Sequence, residues 1–165
     1  MTKKETISSF LSKFERDLKQ NNSLPEALKI TCQLINKSFE GYDWVGFYFM
    51  NHQSRKLHLG PYVGDATDHT IIDFGKGICG QVALSGDTYF AADVNAESNY
   101  IACSINVKSE IVVPMYLGDK LIGQIDIDSH VSNRFQEEDE DFLKTVNALI
   151  VERFPEIEDY IKTLI

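Results

Sequence analysis

The run EIVVPMYLGDKLIGQIDID, from Glu110 to Asp128, constrains the fold of this chain more than any other stretch. Two apolar, β-branched segments flank Gly118-Asp119, the pattern of antiparallel strands joined by a tight turn. The second segment ends in Asp126-Ile127-Asp128, and residues two apart on a strand share one face. A strict two-residue turn would pair Glu110 with Ile127 and aim it at the opposite face. A three-residue connection, or a bulge near Pro114, would return Glu110 to the aspartate side. A cluster of three carboxylates therefore requires one irregularity in this hairpin. Without it, the two aspartates read as exposed strand-end acids leading into a turn.

The flanking sequence supplies helices. Ile7, Phe10, Leu11, Phe14 and Leu18 recur at helical spacing between Thr6 and about Lys19. A second helix starts in NNSLPEALKITCQLINKSF, with Ser23 as N-cap, Pro25 in the first turn and Glu26 at the capping-box spacing. Leu28, Cys32, Leu34 and Ile35 would form its apolar face. DWVGFYFM and KLHLGPYV read as paired strands around NHQSR. GICGQVALSG suggests a short helix and TYFAAD a strand. QEEDEDFLKTVNALIVERF is a helix whose first-turn carboxylates suit the positive end of its dipole. Terminal helices enclosing an antiparallel sheet make an α+β domain. We expect one domain over 1–165: helices in 1–40, sheet and pocket in 41–130, and a C-terminal helix and tail in 131–165.

Composition narrows the function classes. The formal net charge is −9, and no Lys/Arg cluster interrupts the acidic background, which disfavours nucleic acid and anionic membrane partners. MTKKETISSFLSKF lacks the apolar run of a signal peptide, and no stretch approaches the roughly 18 apolar residues of a membrane span. Three cysteines make no secreted disulfide framework, so a cytoplasmic location with reduced thiols is expected.

Those cysteines differ in setting. Cys32 falls within the apolar pattern ITCQLI and reads as a small buried hydrophobe. Cys79, in GKGICGQ, opens a short helix whose N-terminus would favour thiolate and lower its pKa. Cys103 lies seven residues before Glu110, and acidic neighbours would raise its pKa. His52, His58, His69 and His130 form no metal spacing and there is no C-x-x-C, so no metal is expected. No P-loop, dinucleotide fingerprint or nucleophile elbow appears, and no cofactor is expected. Trp44 and Tyr48 read as core aromatics or as the lining of a pocket.

GKGICGQVA, NYIACSINVKSEIVVP, LIGQIDIDS and RFQEEDEDFL, in this order and spacing, resemble the free methionine-(R)-sulfoxide reductases, a GAF-domain family. The resemblance covers nearly the whole chain, from DWVGFYF to the final helix. It implies a six-stranded antiparallel sheet, with terminal helices packed on one face and a small enclosed pocket on the other. It also implies reduction of free L-methionine-(R)-sulfoxide, with Cys103 as nucleophile and Cys79 nearby. Glu110, Asp126 and Asp128 would hold the sulfoxide and amino groups, Glu110 taking part in catalysis. Trp44 would contact the methyl end, with Tyr48 beside it. A sulfenic acid on Cys103 would then condense to a disulfide that thioredoxin resets. The domain class often forms homodimers, which leaves a homodimer open here.

One position departs from the pattern. Many members carry a third, resolving cysteine ten residues before the one matching Cys79, and here it is His69. Either Cys79 resolves Cys103 directly or an external thiol does. The alternative reading is a GAF module that binds a small ligand, or senses redox state, without turnover. The sequence shows no separate output segment, which counts against a sensor.

Overall fold

The computed structural model describes residues 1–21, 23–98, 100 and 106–165. The chain begins with α1 (Lys3–Gln20) and α2 (Leu24–Ser38), then pairs β1 (Trp44–Asn51) with β2 (Lys56–Val63). β3 (Ile71–Asp73), α3 (Gly77–Ser85) and β4 (Tyr89–Ala91) follow, then β5 (Ser109–Leu117) and β6 (Lys120–Ser129). α4 (Glu137–Arg153) and α5 (Ile157–Leu164) close the chain. The expected C-terminal tail is thus a second helix, whose Ile157 and Ile161 are buried.

The six strands form one antiparallel sheet in the order β3-β2-β1-β6-β5-β4. Alternation divides its two faces. Val45, Phe47 and Phe49 of β1, with Ile125 and Ile127 of β6, enter a core shared with Leu28 and Ile35 of α2 and Phe142, Val146 and Ile150 of α4. Each such side chain contributes about 1.5–3 kcal/mol when fully buried, which fixes the terminal helices on this face. Trp44, Tyr48 and Met50 point the other way, into a smaller core capped by Ile78 and Val82 of α3. β1 is buried on both sides, which is why DWVGFYFM is apolar at nearly every position.

The hairpin carries the irregularity that a carboxylate cluster needs. Leu117 pairs with Lys120 and Tyr116 with Leu121, but Met115 pairs with Gly123, so Ile122 is the extra residue. Beyond this bulge Glu110 pairs with Asp128 and Val112 with Asp126. Both pairings put Glu110 on the aspartate face. The bulge lies at the neighbour of Pro114 rather than at Pro114 itself. Pro114 is tolerated because β4 pairs β5 only at residues 110–112 and leaves that edge unpaired at Pro114. Gly123 beside the bulge has no room for a side chain, since a Cβ would stand 2.6 Å from the Tyr48 carbonyl oxygen.

Ser23 corrects an expectation. It is the N-cap of α2, but its side chain makes no capping hydrogen bond. Pro25 removes one of the two N–H groups such a cap could use, and the helix starts with the backbone bond from Ala27 N–H to the Ser23 carbonyl. The reciprocal capping box occurs at α1 instead, between Thr2 and Glu5.

Candidate active site

β5 and β6 bring their carboxylates side by side beneath the first turn of α3. Glu110, Asp126 and Asp128 are all buried, at 5%, 1% and 1% exposure. Cys79 enters from above, its Sγ 3.3 Å from Asp126 Oδ2 and 3.9 Å from Glu110 Oε1. Gln124, two residues before Asp126 on the same face, donates to the Cys79 carbonyl at 3.3 Å and ties α3 to the sheet. Tyr48 and His69 form the opposite wall, joined by a hydrogen bond from the Tyr48 hydroxyl to the His69 carbonyl at 2.9 Å. The cavity between these walls measures about 20 Å³, room for an ion or a water molecule.

Trp44 and Asp128 occupy the same sheet face as neighbours in register, but neither lines that cavity. The indole stacks on Tyr62 at 5.2 Å and on Tyr48 at 6.4 Å between ring centres, and its N–H donates to the Asp65 carbonyl. It folds back across Gly46, where a Cβ would stand 2.4 Å from a ring carbon. Glycine at this position is what lets the indole lie flat against the sheet. The structure therefore gathers Cys79, Glu110, Asp126 and Tyr48 around one cavity and puts Asp128 and Trp44 beside it. Cys103, expected as the nucleophile, lies outside the described residues.

The electrostatics of Cys79 reverse the expectation drawn from its helix. Its thiol is pushed well above the usual value, first by burial, then by the charges of Asp126 and Glu110. Asp126 accepting its S–H and the more distant Asp128 charge act in the same direction. One helix N-terminus does not offset three carboxylates in a buried setting.

The aspartates are raised as well. Burial lifts Asp126, opposed by hydrogen bonding from Glu110 and Cys79. Asp128 is lifted further, by burial and then by the Asp126 charge, with Glu110 opposing. Among the described residues, Asp126 Oδ1 and both oxygens of Asp128 have no partner at hydrogen-bonding geometry. Buried carboxylate oxygens without donors are costly, so this face is arranged to receive protons or a cation. Cys79, Glu110 and Asp126 also offer three ligand atoms within 4.8 Å of one another. They are 31 and 16 residues apart in sequence, so no local spacing could have announced them.

Residues 21–151 match the GAF domain. Over 148 residues the chain is 31% identical to free methionine-R-sulfoxide reductase of Escherichia coli, covering 90% of this chain and 88% of that one. The chain belongs to the GAF-domain family of free methionine-(R)-sulfoxide reductases. A solved structure of such a reductase from Neisseria meningitidis, in complex with its substrate, superposes with a TM-score of 0.88 at 32% identity. That superposition covers 94% of this chain and 92% of the other. The Staphylococcus aureus enzyme in complex with substrate gives a TM-score of 0.81 at 31% identity, covering 89% and 94%.

Sequence reasoning missed three features of this site. β3 was too short to signal itself. Gln124 and Gly46 carry roles that only the tertiary contacts give them. Gln124 was the more legible of the two, since it shares the face of Asp126.

Proposed function

We propose that this protein reduces free L-methionine-(R)-sulfoxide to L-methionine. The observation that carries the proposal is the pair of buried aspartates beside Glu110 and Cys79, whose oxygens include three with no partner among the described residues, in a chain of this family. A free amino acid brings an ammonium, which one ionised carboxylate can pair with. A neighbouring carboxyl with a raised pKa keeps a proton near neutral pH and donates it to the sulfoxide oxygen. Cys103 gives up its proton and attacks the sulfur, so that an S–S bond forms as the protonated S–O bond breaks. The released hydroxide then attacks the Cys103 sulfur, the S–S bond breaks, methionine leaves and the oxygen stays as the Cys103 sulfenic acid. Trp44 and Tyr48 supply the apolar wall for the methyl end. The cavity must widen from its present volume to admit the substrate.

Cys79 then resolves the sulfenic acid: its proton passes to Asp126 and on to the departing hydroxide, the Cys79–Cys103 disulfide forms, and water leaves. A dithiol reductant of the thioredoxin type returns both thiols. The raised pKa of Cys79 favours a second reading of this step, in which an external thiol resolves Cys103 and Cys79 remains reduced.

Substrate choice tests the main proposal. The free (R)-sulfoxide should turn over, while its (S) epimer and the N-acetylated (R)-sulfoxide should fall by at least about 100-fold in kcat/KM, a loss of ~2.7 kcal/mol. Equal rates on the N-acetylated compound would remove the ammonium from the account. Absence of turnover on all three would leave a ligand-binding GAF module.

A further inference from the structure

We propose that Cys79, Glu110 and Asp126 form a site for a zinc-class divalent cation, held by one thiolate and two carboxylates. This proposal stands on the geometry of the cluster and holds whether or not the protein reduces a sulfoxide. A tetrahedral ion with Zn–S near 2.3 Å and Zn–O near 2.0 Å separates its sulfur and oxygen ligands by about 3.5 Å. The Cys79 sulfur stands 3.3 Å from one Asp126 oxygen and 3.9 Å from one Glu110 oxygen, on either side of that edge length. The three residues come from α3, β5 and β6, so the fold holds the set together before any ion arrives.

A second observation asks for a cation. Asp126 is 1% exposed and lines the cavity, and its Oδ1 has no hydrogen-bond partner among the described residues. Lys76 also lines the cavity, and its charge acts on Asp73 in β3. The cavity volume of about 20 Å³ suits one ion. His69 also lines the cavity and is the histidine that could add a fourth ligand.

Binding is a ligand exchange without redox change. The Cys79 S–H bond breaks, its proton leaves to solvent, and the sulfur binds the ion. The carboxylates bind as anions and release any proton that they carry. The ion and a substrate ammonium would neutralise the same carboxylates, so the two should exclude each other.

The test uses the full chain, reduced and freed of metal, titrated with Zn²⁺ against a chromophoric chelator. One saturable site per chain is expected, with at least one proton released. Co²⁺ in its place should give a near-ultraviolet thiolate-to-cobalt band and visible bands of tetrahedral intensity. Cys79→Ser should abolish the near-ultraviolet band and weaken Zn²⁺ binding at least 100-fold. Glu110→Gln should weaken binding at least tenfold with the thiol still in place, and decides the matter if the serine variant does not fold. Cys32→Ser should change neither. Absence of saturable binding, or unaltered affinity and spectra in the Cys79 and Glu110 variants, would overturn the proposal.

Discussion

Two groups of buried aspartates in this protein have opposite surroundings. Asp139, in the first turn of α4, is fully buried and fully engaged. It accepts from the Gln136 N–H at 2.8 Å, the Tyr42 hydroxyl at 2.5 Å and the Lys3 ammonium at 2.6 Å, with Arg134 at 3.6 Å. Asp126 and Asp128 are equally buried, yet three of their four oxygens have no partner among the described residues. The first arrangement ties α1, the start of α4 and the segment before β1 into one unit. The second spends stability to keep carboxylates available. Satisfied burial marks a structural acid, and unsatisfied burial marks one that awaits something.

The largest effect that would sharpen this contrast is on activity. Asp128→Asn should lower kcat/KM for the free sulfoxide by about 10²–10⁴-fold, the usual range for a lost acid–base or ion-pairing group. Retention of wild-type kcat/KM would break the functional half of the comparison. On stability the ranking should invert. Asp139→Ala should destabilise the fold by about 3 kcal/mol, because Tyr42, Lys3 and the Gln136 N–H all lose one acceptor. Denaturant unfolding measures that loss, while activity per folded molecule should stay close to wild type.

Asp128→Asn should instead stabilise the protein at pH 7 by about 1–2 kcal/mol, since it removes a buried carboxylate that no cation among the described residues pairs. The sign follows from its raised pKa. The folded state holds the proton more tightly than the unfolded chain does, so wild-type stability falls as pH rises from the ordinary aspartate value of 3.8 through the raised folded value. The advantage of the asparagine variant should therefore be fullest at neutral pH and shrink on acidification toward 3.8, in buffers containing a chelator. Thermal melts of both proteins across that range test it, and an advantage independent of pH would contradict the electrostatic cause.

The smallest effect concerns Cys79. Its alkylation by iodoacetamide in the folded protein should be slow at pH 7–8 and still climbing above pH 9, because burial and three carboxylates oppose the thiolate. Peptide mapping by mass spectrometry follows that rate. Rapid modification at neutral pH would restore the helix dipole as the dominant influence.

Much of this architecture was legible in the sequence because hydrophobic period and turn chemistry are local signals. The hairpin around Gly118-Asp119, the doubly buried β1 and the terminal helices all announce themselves that way. The carboxylate cluster was legible only conditionally. The alternation of DIDS places two aspartates together, but Glu110 joins them through a single extra residue at Ile122, and a bulge leaves little trace in composition. Cys79 illustrates the opposite failure. Its helix N-terminus is visible in the sequence and its burial is not, and burial against Asp126 decides the direction of its pKa. Ser23 is the N-cap that its position predicts, while the side-chain bond expected of it does not form.

The most direct test of the central claim is a single turnover. Fully reduced protein, without external reductant, is mixed with free L-methionine-(R)-sulfoxide, and methionine formed and thiols lost are both counted per chain. The account predicts about one methionine, with two thiols lost and a Cys79–Cys103 disulfide in the peptide map. One methionine with a single thiol lost would keep the reductase and transfer resolution to an outside thiol. No methionine would contradict the claim that this carboxylate-lined site performs the reduction.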